Sequence, residues 1–259
     1  MKRLDVFVAT SLAGLAAFVG SQALLTRQAH AERTHNGESV VTELTKPAAA
    51  PARAVVRRDA DENRDADDVR RRLELSSPST YIADVLASHD SALARWPERR
   101  TDPLRVWIQP MARITNWSPE SLPLVRDAFL EWGEAGVPIN FTFVLDSASA
   151  NVHVSFVDRF REPISGKTLW THDERWFILK ANVMIAVHHQ GGDLLDRAAT
   201  KAIALHEVGH LLGLDHTSDS TSIMAPRVRV KELSAADRAT VQLLYSLPPG
   251  RVGKRTRSR

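Results

Sequence analysis

The chain has 259 residues, enough for one substantial core with long flanks, and its 43% hydrophobic and 25% charged residues are those of an ordinary folded domain. It contains no cysteine, which excludes disulfides, thiolate metal ligands and a cysteine nucleophile. Much of the basicity behind its formal charge of +3 crowds into Arg251, Lys254, Arg255, Arg257 and Arg259; a run without acids reads as a solvated terminus, so no nucleic-acid partner is expected.

Lys2 and Arg3 precede an apolar stretch over residues 6–25, and Ala29, His30 and Ala31 offer a small-x-small cleavage site. Residues 1–31 therefore read as a signal peptide or, because the stretch approaches the ~20 residues that span a bilayer, as an uncleaved N-terminal anchor. Either route exports the rest, which would be secreted, periplasmic or anchored at the cell surface. Contact with a membrane is expected only through this segment. Residues 32–77 are rich in Ala, Arg, Asp and Glu and poor in large apolar side chains, so they read as a disordered linker or pro-segment. Arg57, Arg58 and Arg70, Arg71, Arg72 would be open to trypsin-like processing.

A folded domain is expected over residues 78–247, with 248–259 as a basic tail. Tyr81, Ile82, Val85 and Leu86 recur at helical spacing. Residues 104–109 read as a first strand, with Val106 and Ile108 on one side and Pro110 closing it. Ser118, Pro119 and Glu120 supply an N-cap, a first-turn proline and an acid for a helix that presents Leu122, Val125, Phe129 and Trp132. The cap role also explains Ser118 better than the glycosylation sequon it completes with Asn116. Residues 139–145 and 152–156 alternate as two further strands. Residues 158–176 read as an irregular loop containing Pro163 and Gly166, and residues 177–187 as a strand. A long helix is expected from about 194 to 212, and a last one from Ser234 to Tyr245 with Val241 and Leu244 inward.

The chemistry lies in the long helix and just beyond it. His206 and His210 are four apart and share one helix face, so each can point a ring nitrogen at one Zn²⁺. Gly213 can adopt positive φ, end the helix and turn the chain back, which brings His216 within reach as third ligand. Three protein ligands leave a coordination position open, as catalysis requires. Glu207 follows the first ligand directly, so its carboxylate can reach water at the metal rather than the metal itself and act as general base, then pass a proton to the leaving amine. His153, on the polar face of a strand, and His188 and His189, at a strand end, read as surface residues, and Trp170 and Trp176 as core tryptophans that could flank a cleft.

The pattern HExxHxxGxxH over residues 206–216, followed by Met224 in the run Ser222, Ile223, Met224, Ala225, Pro226, resembles the metzincin clan of zinc peptidases. Gly213, Leu214, Asp215 and His216, with Pro226 two residues after Met224 and residues 233–237 opening a helix, are similar to the matrixins in particular, here in a bacterial-style exported form. The resemblance covers about residues 104–247. It implies an α+β catalytic domain with a twisted, mixed five-stranded sheet, a long active-site helix, a second backing helix and a C-terminal helix. It also implies that Met224 lies beneath the ligands as an apolar floor, with Pro226 beside it, and that a peptide or protein substrate binds extended along an edge strand, for which residues 183–187 are the candidate.

The chain departs from the matrixin pattern at several points. The pro-segment cysteine that holds matrixins latent has no counterpart, Val228 stands where tyrosine is common, and Thr217 where serine is usual. The loop before the edge strand offers only His172, Asp173 and scattered acids, so one catalytic Zn²⁺ is expected while structural zinc or calcium is left open. The function expected is an exported zinc endopeptidase, acting as a monomer. Two alternatives stay open: a catalytically silent zinc-bearing binding protein at the cell surface, and a protease confined to its own Arg-rich segment or a single target.

Overall fold

A computed structural model of the chain describes residues 68–252, apart from 70, 77, 78 and 90. The signal or anchor at 1–31, residues 32–67 of the linker and residues 253–259 of the tail lie outside the described residues. The first described residues, 68–69 and 71–76, are helical although composition assigned them to the linker. Val69 and Leu73, four apart, rest on the core, and the Arg72 guanidinium donates to the carbonyl and hydroxyl oxygens of Ser246.

The sheet is built from β2 (Arg99–Ile108), β3 (Ile139–Val144), β4 (Val152–Val157), β5 (Gly166–His172) and β6 (Ile178–Ala186), following a short β1 (Ala92–Leu93). Its order is β3-β2-β4-β6-β5, with the first three pairings parallel and β5 antiparallel to β6. Alternation explains the burial: Leu104, Val106 and Ile108 on β2 and Val152, Val154 and Phe156 on β4 turn to one packed face. The strand at residues 183–187 was expected at the cleft edge, but it pairs on both sides, with β4 and β5, and is interior. With β3 at the opposite edge, the edge beside β6 is β5, inside the stretch read as an irregular loop. Its residues are half-buried at best, so no run of core side chains marks it in the sequence.

Beyond residues 68–76, four α-helices among the described residues follow the expected order: α1 (Ile82–Ser88), α2 (Ser121–Gly133), α3 (Arg197–Leu211) and α4 (Ala235–Ser246). The α2 stripe of Val125, Ala128, Phe129 and Trp132 is buried, and the Trp132 indole N–H donates to the carbonyl of Leu205 at 2.8 Å, fixing α2 against α3. Ser118 does not cap α2. Its hydroxyl accepts from Glu120 N in a turn before the helix, which starts at Ser121 without a side-chain cap. The start of α1 likewise has no side-chain cap, whereas α3 and α4 are capped: Asp196 accepts from Ala199 N on α3, and Ser234 forms a reciprocal capping box with Asp237 on α4. β7 (Gly250–Arg251) then returns to pair antiparallel with β1. This is the mixed-sheet α+β architecture expected, with α3 beneath the edge strand β5.

Candidate metal centre and cleft

His206 and His210 are carried on the last two turns of α3, where Val208, Leu205 and Leu211 hold the opposite surface in the core. The helix then stops in a Schellman motif: Leu214 N donates to Gly209 O at 3.1 Å and Gly213 N to His210 O at 3.0 Å, with Gly213 at φ +98°. Any side chain there would be strained twice, because a Cβ on Gly213 would also lie 2.1 Å from the carbonyl oxygen of Ala94. The reversal brings His216 back under the helix end.

The three imidazoles converge through their Nε2 atoms, which are 3.1 Å apart for His206 and His210, 3.2 Å for His206 and His216, and 3.3 Å for His210 and His216. Nitrogens at ~2.0–2.1 Å from one tetrahedral ion would be roughly 3.3–3.4 Å apart, so the donor set fits a single such ion with little movement. Two rings are oriented from behind. His206 Nδ1 donates to Ile223 O at 2.7 Å and His210 Nδ1 to Leu214 O at 3.0 Å, which leaves each Nε2 as the lone-pair nitrogen. Burial lowers the pKa of His206 to about 4 and, with the neighbouring imidazoles, that of His210 to about 3, so both are neutral at pH 7, as a metal ligand must be. Among the described residues these three histidines are the one group of three or more potential ligands that could share an ion.

Glu207 is 4% exposed on the same helix. Its Oε2 accepts from the Thr168 hydroxyl of β5 at 2.6 Å, and burial raises its pKa to about 7 against the lowering effect of that bond. A cation beside it would pull the value down again. The edge strand approaches so closely at this point that a Cβ on Gly166 would lie 2.3 Å from Glu207 Oε1. Met224 is wholly buried, and a Cβ on Gly209 would lie 2.3 Å from its sulfur, so the glycine in the middle of α3 is what admits the methionine against the helix that carries His206 and His210. Such a glycine costs about 1 kcal/mol relative to alanine in a helix, a sequence signal for close approach at Gly209. Gly166 and Thr168 carry no comparable signal.

The three histidines and Glu207 open onto a cleft of 740 Å³ between β5 and the segment after Met224, with Thr168, Leu169 and Trp170 on one wall and Pro226 and Val228 on the other. Trp170 thus lines the cleft, whereas Trp176 stacks on His172 at 4.2 Å between ring centres. His172 and Asp173 shape the β5–β6 turn: Asp173 Oδ1 accepts from the backbone N–H of Arg175 and Phe177. His188 departs from the surface reading. It is buried at the end of β6 and its Nδ1 meets Asp158 Oδ1 at 2.8 Å, a partner that the period-two pattern could not reveal. His153 remains half-exposed, held by Ser147 O.

The matrixin family profile matches residues 160–246, which span β5, α3, the three histidines and α4. The chain carries a matrixin-like metzincin catalytic domain. Matrix metalloproteinase-16 of Homo sapiens is 31% identical to it over 154 residues, taking in 55% of this chain and 23% of the human protein. Metalloendoproteinase 5-MMP of Arabidopsis thaliana is 27% identical over 176 residues, 60% of this chain and 46% of that protein, and stromelysin-3 of Xenopus laevis is 35% identical over 99 residues, 37% of this chain and 17% of that protein. The chain therefore spans less than half the length of these relatives. The similarity to the first two extends beyond the 87 residues of the profile match, to 154 and 176 residues.

Proposed function

We propose that this protein is an exported zinc-dependent endopeptidase in which His206, His210 and His216 hold the zinc and Glu207 is the general base. The observation that carries this reading is the convergence of three Nε2 atoms 3.1–3.3 Å apart beside a buried carboxylate that faces the same cleft. Zinc bound there would supply Lewis acidity to the scissile carbonyl. The protein's own groups supply the proton chemistry: Glu207 accepts a proton from the attacking water and returns it to the leaving amine, while Thr168 fixes which carboxylate oxygen is free. An extended peptide would lie along β5, whose outer edge is unpaired by any other strand of the sheet. Export rests on the apolar stretch at residues 6–25 behind Lys2 and Arg3.

The test measures zinc content and cleavage of a quenched fluorescent peptide library by the full chain and by Glu207→Gln. One zinc per chain, with cleavage that falls by about 10²–10⁴ in the variant while zinc stays, is the expected result. Stoichiometric zinc without cleavage of any peptide would make the protein a zinc-bearing binding protein, and a folded wild type that takes up no zinc would remove the ligand assignment.

A further inference from the structure

Asp237, on the first turn of α4, is wholly buried, and its carboxylate accepts hydrogen bonds from five donors, none of them cationic. Oδ1 takes the Tyr81 hydroxyl at 2.9 Å and the Ser222 hydroxyl at 2.5 Å, and Oδ2 takes Ile223 N at 3.1 Å, Ser234 N at 2.8 Å and the Ser234 hydroxyl at 2.7 Å. A carboxylate out of water and without a counter-ion among the described residues depends on such donors to hold its place. Four of the five belong to the chain just before Asp237. The fifth, Tyr81, comes from 156 residues away, in the flank upstream of the matched matrixin region.

The residues that Asp237 grips on its other side are the ones that hold a candidate metal ligand. Ile223 gives its N–H to Asp237 and its carbonyl to His206 Nδ1, while the Ser222 hydroxyl, itself a donor to Asp237, accepts from Met224 N at 2.9 Å. A continuous line of hydrogen bonds thus runs from Tyr81 through Asp237 and the 222–224 turn to the ring of His206. Tyr81 is anchored at its own end: its N–H donates to Thr240 at 3.1 Å and its carbonyl accepts from the start of α1.

We propose that Tyr81 is a positioning residue for the metal centre, its hydroxyl fixing Asp237 and through it the turn that aims His206. The flank before the first strand is then part of the site. The inference rests on His206 being a zinc ligand, and it is tested by affinity rather than by turnover. In the full-length protein, Tyr81→Phe keeps the ring and deletes only the donor. Partners directly behind a ligand set metal affinity by about 10–100-fold, so a donor further out is expected to cost roughly 3–10-fold in zinc affinity, read by competition with a chromophoric chelator. The visible spectrum of the cobalt-substituted protein should shift as well. Ile139→Val, a methyl deletion in β3 at the far edge of the sheet, is the control: it lowers the melting temperature and leaves zinc affinity within twofold. Ser222→Ala, one link nearer the metal, is expected to lose affinity at least as strongly as Tyr81→Phe.

Zinc affinity within twofold of wild type in Tyr81→Phe overturns the proposal whatever its melting temperature, and so does a Tyr81→Phe chain that fails to fold with saturating zinc, since Tyr81 would then serve the fold and not the ligand. If the wild type takes up no zinc, the reading of the site fails instead. The proposal is then judged on the His206 Nδ1–H proton resonance of the metal-free protein, which must move in Tyr81→Phe and not in Ile139→Val.

Discussion

The two halves of the candidate metal centre are held in different ways. His206 and His210 ride on a helix whose other faces are core, and each ring is fastened from behind by a carbonyl. His216 sits on a loop with 47% of its side chain exposed, and its Nδ1 comes no nearer than 3.9 Å to the carboxylate of Asp215. The difference teaches that the helix histidines are placed by the fold itself, whereas the loop histidine is placed by the backbone turn at Gly213 and would be settled by an ion bound there. Metal and fold should therefore be separable at one ligand and entangled at the others.

The largest effect expected is on zinc. His206→Ala and His216→Ala should each lower zinc affinity by on the order of a thousandfold, because each removes one of three protein ligands. Urea unfolding of the metal-free protein should tell them apart: His216→Ala stays within about 0.5 kcal/mol of wild type, while His206→Ala loses about 1–3 kcal/mol by stranding the buried carbonyl of Ile223. Equal losses would break the comparison.

Next comes the joint between the halves. Gly213→Ala should destabilise the protein by about 3 kcal/mol or more and weaken zinc binding with it, since the new methyl meets the Ala94 carbonyl at positive φ. Gly250→Ala, also at positive φ (+121°) but with nothing within 4 Å of the added carbon, should cost only about 1 kcal/mol and leave zinc alone.

The buried helix half also predicts a pH effect. The folded-state pKa of Glu207 is raised from 4.5 to about 7, so its neutral form suits the metal-free fold; its contribution is most favourable below pH 4.5 and is lost as pH rises through 7. At pH 8 the ionised carboxylate costs up to about 3 kcal/mol, at 1.36 kcal/mol per pH unit. Metal-free Glu207→Gln should therefore melt higher than wild type at pH 8 and lose that gain near pH 4.5. A gain that does not depend on pH would point to packing instead. The smallest effect belongs to the strand opposite: Thr168→Val removes a hydrogen bond to the ionised carboxylate, worth about 1 kcal/mol, so the acid limb of kcat/KM should move to higher pH with little change on the plateau.

Much of this site was legible because its spacing is local. His206, Glu207, His210, Gly213 and His216 fall within eleven residues, and helical geometry alone places them on one face and around one turn. The strands with core side chains at every second position, β2, β4 and β6, were legible for the same reason. The edge strand β5 was not: its inner face borders a cleft rather than the core, so Lys167, Thr168, Leu169 and Trp170 show no apolar period, and residues 183–187 looked like the better edge. Contacts across long separations were equally silent. Neither Thr168 with Glu207 nor Tyr81 with Asp237 can be read from spacing, and His188 turned inward only because Asp158 waits at the neighbouring strand end. Ser118 misled because a serine before proline caps a turn as readily as a helix.

The pairing of β1 with β7 has a topological consequence. Ala92 and Leu93 lie beside Arg251 and Gly250, and Val252 N donates to Ser91 O at 2.8 Å, so the first and the last strand of the described residues are one ladder spacing apart, about 5 Å. The end of the described chain thus clasps the link between α1 and the sheet. A circular permutant must therefore join the chain after β7 to the helical stretch before α1 and not to β1, since α1 and Tyr81 belong to the packed unit, and it can reopen at an exposed turn such as Ser147–Ser149.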